Sequence, residues 1–230
     1  MKKETFQIGS TNCIAYSDEM PQILLIQPID SHDYDILDNE IAYISAHSNY
    51  PFILVAFSVS DWNNDLSPWL APPVFGKVGF GESANDTLSF ILERLIPSLK
   101  EKYGLTDIPT ILGGYSLAGL FALWSAYQTD AFLAINASSP SAWFPGFIDY
   151  VENNTTTVRH IYLSLGDKEE KAKNPTMATV GDCIRELSEL FNSKNIDSTL
   201  EWNEGNHFKE ADIRTAKGFV WCIERTLNDN

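Results

Sequence analysis

One feature constrains the fold of this chain more than any other. Short apolar runs alternate with helix-like patterns from end to end. The runs 22–29, 52–59, 110–113, 132–136, 160–165 and 199–202 are apolar on both faces. Runs of that kind suit strands covered on both sides, as in a largely parallel sheet. Helical periodicity fills 31–45, 85–103, 117–127, 179–193 and 211–227. In 85–100 the residues Leu88, Ile91, Leu92, Leu95, Ile96 and Leu99 form one apolar stripe. Pro97 falls inside that stripe and is expected to kink it. The alternation predicts an α/β layer fold with right-handed crossovers and a mostly parallel central sheet flanked by helices. With no repeat and no linker, residues 1–230 read as a single domain.

Composition narrows the partners. The chain has 31 acidic and 16 basic residues, a formal charge of −15. That field repels nucleic acid and anionic membranes, so neither is an expected partner. Cys13, Cys183 and Cys222 lie far apart and are odd in number, which predicts reduced thiols rather than a disulfide framework or a zinc site. The first residues are basic, but no apolar stretch follows them, and no run is long enough to span a bilayer. A reducing cytoplasm is the expected setting. Residues 76–81 have glycines in the wrong order for a dinucleotide loop. Residues 30–35 (DSHDYD) read as a capped, acid-rich helix start rather than a metal site. No cofactor and no metal are expected.

The segment Gly113-Gly114-Tyr115-Ser116-Leu117-Ala118-Gly119 joins a predicted strand to a predicted helix. This is the setting of a nucleophile elbow, where a sharp turn exposes a serine hydroxyl and its neighbours two residues away must be small. Here they are Gly114 and Ala118; glycine is usual in the second place, and a methyl group is expected to fit. A serine needs a base, and behind such an elbow the acid and then the base follow in chain order. Of the four histidines only His207 stands in the required place, before the last helix. The acid is expected after the strand 160–165, where Asp167, Glu169 and Glu170 compete. Glu169 has the favoured spacing, Asp167 is the runner-up and Glu170 third. The Leu117 N–H, at a helix start, and the Ile29 or Asp30 N–H, after an earlier strand, are the expected oxyanion donors.

With Ser139-Pro140-Ser141-Ala142-Trp143, Leu165-Gly166 before the acids, and Gly205-Asn206-His207-Phe208, these motifs resemble the Putative esterase family of α/β-hydrolases, including esterase D-like and enterochelin esterase-like enzymes. The resemblance implies the α/β-hydrolase fold and hydrolysis of small-molecule carboxylic esters through an acyl-enzyme, without metal. It also admits a Ser–His dyad. A thioesterase or acyltransferase with the same groups, or a silent binding module, are the rival readings. Only one short helix fits between residues 139 and 159, so no large cap domain is expected. The loop 61–81 is long and rich in Pro and Gly, which suits a functional segment. Trp62, Trp69 and Trp143 are expected to line a substrate pocket.

Overall fold

The computed structural model describes residues 1–30, 33–74 and 76–228. Eight strands form one sheet in the order β1-β2-β4-β3-β5-β6-β7-β8. β3 (Ile23–Ile29), β4 (Phe52–Ser58), β5 (Thr110–Tyr115), β6 (Ala134–Ser138), β7 (His160–Gly166) and β8 (Asp197–Asn203) run parallel, as the apolar runs predict. β3 and β7 are buried along their whole length. Two strands have no counterpart in the sequence reading. β1 (Lys2–Ile8) and β2 (Thr11–Ser17) form an antiparallel hairpin, and β2 pairs antiparallel with β4. β1 is at least half exposed, and its charged residues hide the strand period.

Helices cover both faces. On one side, α1 (Leu37–His47) and α9 (Ala211–Asn228) pack over the sheet with Leu37, Ile41, Phe219 and Cys222 buried. On the other lie α5 (Leu117–Ser125), α8 (Val180–Ser193) and the segment 84–103, joined by a larger core that includes Phe121, Phe144 and Phe191. The expected break at Pro97 takes a definite form. α3 (Ala84–Phe90) passes into a π-helical turn, Ile91–Leu95, before α4 (Ile96–Tyr103). Proline in a regular helix would meet the carbonyl four residues back and offer it no N–H. The wider turn immediately before Pro97 accommodates that defect.

The expected helix 31–45 begins late. A 3-10 turn covers Asp33–Asp35, and α1 starts at Leu37 without a side-chain cap. The capping expected at the acidic start belongs to the turn: Asp30 N–H donates to Asp33 Oδ2 (3.1 Å) and Asp33 N–H to Asp30 Oδ1 (3.3 Å). Ser31 and His32 of that motif lie outside the described residues.

The ladder between β3 and β5 is short. It pairs Leu24, Leu25 and Ile26 and then stops, while β3 continues along β4 to Ile29. Pro28 therefore falls where its strand has one neighbour, so its missing N–H breaks no second ladder. The two strands part at their carboxyl ends, where open α/β sheets bind ligands.

Candidate active site

β5 ends at Tyr115, and Ser116 takes φ 59° and ψ −120° before α5 begins. A side chain in that region costs about 1–3 kcal/mol. The turn is held from several directions. Ser116 N–H donates to the Ser138 carbonyl (3.1 Å), and the Ser116 carbonyl accepts from Leu120 N–H (3.1 Å) and Ser141 N–H (3.0 Å). The approach at Gly114 is close: a Cβ there would stand 2.6 Å from the Ala118 Cβ. The methyl group at 118 fits because position 114 has none.

His207 sits in the loop between β8 and α9. Its Nε2 is 3.0 Å from Ser116 Oγ and its Nδ1 is 2.6 Å from Glu169 Oε2. Glu169 opens a 3-10 turn just beyond β7 and is buried. Its Oε1 accepts from Gly166 N–H (2.7 Å), Ser139 Oγ (2.8 Å) and Arg214 Nη1 (2.9 Å). Burial by itself would raise the Glu169 carboxyl. The hydrogen bond and charge of His207, with the Gly166 N–H and Ser139 hydroxyl, outweigh it and hold the group below its ordinary value.

The other two carboxylates go elsewhere. Asp167 is exposed, and its Oδ1 accepts from Gly205 N–H (2.7 Å), which ties down the His207 loop. Glu170 pairs with Arg185 at 2.7 Å. Asp167, the runner-up acid, turns its short side chain to the loop backbone.

Three further residues belong to this cluster and were not singled out from sequence. Arg214, 1 % exposed on α9, donates from Nη1 to Glu169, Tyr115 OH (3.1 Å) and Ser139 Oγ (3.3 Å), and from Nη2 to the carbonyls of Glu204 and Asn206 (3.1 Å each). Tyr115 OH donates to the His207 carbonyl at 2.7 Å. Burial, then the nearby Glu169 charge, pushes that phenol up to about 12, so it stays a donor at neutral pH. Ser139 carries a positive φ of 42°, which aims its hydroxyl at Glu169. A signal for Arg214 existed: it stands on the buried face of α9, in register with Gly218 and Cys222.

An apolar cavity of about 370 Å³ opens beside Ser116, with Trp62, Phe80, Leu117, Trp143, Met177 and Val180 among its walls. Trp62, which opens a short helix, and Trp143 both line it. Trp69 does not. Its ring packs on Phe144 and Tyr150, and its Nε1–H donates to the Pro145 carbonyl (2.9 Å), so it supports the wall from behind. The loop 61–81 is a folded wall rather than an open strap. It contains α2 (Trp62–Asp65) and a bridge between Ala71 and Phe80, and Phe80 stacks edge-on against Phe144 and Trp143. Between residues 139 and 159 there is one short helix, α6 (Phe147–Asn153). The remaining wall comes from 167–179, including α7 (Pro175–Ala178). Ile29 is fully buried at the end of β3; its carbonyl accepts from Val59 N–H. The Asp30 N–H is engaged by Asp33. No helix among the described residues is long and apolar enough to cross a membrane.

Comparison with known proteins agrees with this architecture. The siderophore hydrolase EstA from Aspergillus nidulans superposes with a TM-score of 0.78 at 17% identity, over 97% of this chain and 94% of that one. An IroE-like serine hydrolase from Shewanella oneidensis gives 0.78 at 14% identity, over 96% and 79%. The enterobactin esterase FES from Shigella flexneri gives 0.69 at 14%, over 98% of this chain and 59% of that one. At such identities the likeness speaks for the fold, which is that of the α/β-hydrolases. No curated protein matches the sequence. The model of one family, described as Putative esterase, matches residues 19–211. This chain belongs to that Putative esterase family.

Proposed function

We propose that the protein is a serine hydrolase that cleaves small-molecule carboxylic esters through an acyl-enzyme. The observation that carries this reading is the unbroken chain of contacts from Ser116 Oγ to His207 to Glu169, at 3.0 and 2.6 Å. In this reading Ser116 Oγ adds to the ester carbonyl while His207 Nε2 takes its proton. The oxyanion is held by the Leu117 N–H, which as the first in α5 has no partner inside the helix, and by the Asp30 N–H, once released from Asp33. The Ile29 N–H lies on the β4 side of β3, where the Ile29 carbonyl accepts from Val59, and is spent in that ladder. The intermediate collapses as His207 returns the proton to the departing alcohol. Water then attacks the acyl-enzyme, again giving its proton to His207, and the acid leaves with Ser116 restored. Glu169 fixes the tautomer of His207 and stabilises its charged form. A contact of 3.0 Å between nucleophile and base also counts against a silent binding module.

A fluorophosphonate probe tests this directly. Ser116 is expected to be the labelled residue, and Ser116→Ala to abolish labelling and to lower short-chain ester turnover by about 10⁴-fold or more. Unchanged turnover in the mutant refutes the proposal.

A further inference from the structure

A second cavity, of about 440 Å³, reaches the same Ser116 and His207 from the α1 and α9 side. It opens where β3 and β5 part. Its walls are more polar than those of the apolar cavity. Asp30, Asp33, Glu40 and Asp212 all line it, and His207 is the one basic side chain among its described walls.

The acidic walls are not the main observation. Glu40 on α1 and Gln27 on β3 are 1 % and 5 % exposed, and they touch each other, Gln27 Nε2 donating to Glu40 Oε2 at 3.3 Å. This leaves Glu40 Oε1 and Gln27 Oε1 buried with no hydrogen-bond partner among the described residues. A buried polar atom left unpaired costs about 1–3 kcal/mol. Here two of them line one cavity. Burial, and then the charges of Asp33 and Asp212, push the Glu40 carboxyl up to about 8. Two unpaired oxygens beside the charges of Asp33 and Asp212 suit a group with several N–H donors and a positive charge, whose binding would displace the Glu40 proton. A quaternary ammonium has the charge but no donor. A metal ion is disfavoured, because no group of three or more ligating side chains converges among the described residues.

We propose that this cavity is a subsite for a primary ammonium group, and that the substrates of Ser116 are esters carrying such a group. The cation donates to Glu40 and Gln27 and is compensated by Asp212 and the acidic turn at Asp30 and Asp33. The word ester rests on the function proposed above; the binding of the cation does not.

The two claims are separated by measuring binding and turnover apart. Calorimetry on the intact protein at pH 7 and low salt compares pentylammonium, 1-pentanol and pentanoate. Pentylammonium is expected to bind at least ten-fold more tightly than pentanol, and pentanoate more weakly than either. Glu40→Gln, which keeps the shape of a protonated glutamate, and Asp212→Asn are each expected to weaken pentylammonium at least three-fold. Equal binding of the amine and the alcohol, or indifference to both variants, overturns the proposal. Turnover then compares p-nitrophenyl 6-aminohexanoate with the hexanoate ester, and 5-aminopentyl with pentyl esters of one acid. A kcat/KM ratio of at least ten in favour of the amine, on the acyl or alcohol side, is expected, and Asp212→Asn is expected to reduce it. Neutral-ester turnover without amine preference overturns the subsite alone. Amine binding without turnover of any ester supports the subsite and overturns the esterase reading alone.

Discussion

Arg214 offers the sharpest test of how the site is held. It ties Glu169, the His207 loop and the strand before Ser116 to one helix: Glu169 and Ser139 through Nη1, Tyr115 also through Nη1, and the Glu204 and Asn206 carbonyls through Nη2. Replacing it with Met keeps most of the volume and removes all five contacts of Nη1 and Nη2. Glu169 Oε1 would keep the Gly166 N–H and the Ser139 hydroxyl, so the charge is not stranded. The two loop carbonyls would lose a buried donor. Breaking a buried ion pair from one side costs about 3–5 kcal/mol, and the surviving bonds to Glu169 favour the lower end. In a chain of this size about 3 kcal/mol lowers Tm by about 6–12 °C. Because the His207 loop loosens, kcat is expected to fall by about 10- to 100-fold with KM changed far less. Arg214→Lys keeps the charge but cannot reach both the carboxylate and the paired carbonyls. It is expected to recover part of the stability and little of kcat. Urea melts and initial rates on a short neutral ester measure both quantities. A loss under 1 kcal/mol in Arg214→Met, or full recovery of kcat in Arg214→Lys, would refute a positioning role.

Other outcomes follow from the same contacts. Glu169→Gln is expected to cost about 10³- to 10⁴-fold in kcat, whereas Asp167→Asn, which disturbs only the Gly205 contact, costs under about 10-fold. Similar losses for both would move the acid. Gly114→Ala places a methyl against Ala118 and is expected to destabilise by about 1–3 kcal/mol. Adding Ala118→Gly is expected to recover only part of that loss in a denaturant melt, because the new methyl would still stand 2.8 Å from the backbone carbonyl carbon of residue 118. The Glu169 carboxyl is held below its unfolded value, so its contribution is fully present above an unfolded pKa of about 4.3. It is lost as pH falls through the lower folded value. Chemical melts between pH 6 and 3 are expected to show a smaller acid loss in Glu169→Gln than in the parent. Trp143→Ala is expected to raise KM for bulky acyl esters, while Trp69→Ala lowers Tm with little change in specificity.

The legibility of the site in the sequence followed the range of the interactions. Ser116 was readable because an elbow is local: strand, small residue, serine, small residue, helix. His207 was readable because chain order admits one histidine. Glu169 was readable only as one of three, since the choice depends on the 3-10 turn that directs position 169 inward and 167 toward the Gly205 backbone. Arg214 and Ser139 act across 45 and 30 residues of chain on the same carboxylate, which no local pattern records. The acidic cavity joins Gln27, Glu40 and Asp212 from three separate elements and was equally hidden. Trp69 was misplaced because a loop tryptophan beside a site can face the substrate or the wall, and its partner Pro145 is remote in sequence. The hairpin β1–β2 escaped because an exposed edge strand keeps little apolar period.

The strand order has a consequence for how activity arises during synthesis. From β5 onward each new strand is laid beside the one made just before it, out to β8 at the sheet edge. Such growth needs few distant encounters, and distant encounters are what slow folding. The Ser116 turn is therefore made before Glu169 and His207 have been synthesised. His207 emerges late, and Arg214, which fastens its loop, later still. Under the proposed function, Ser116 is activated only as α9 docks, and a molecule clipped before His207 would be inactive.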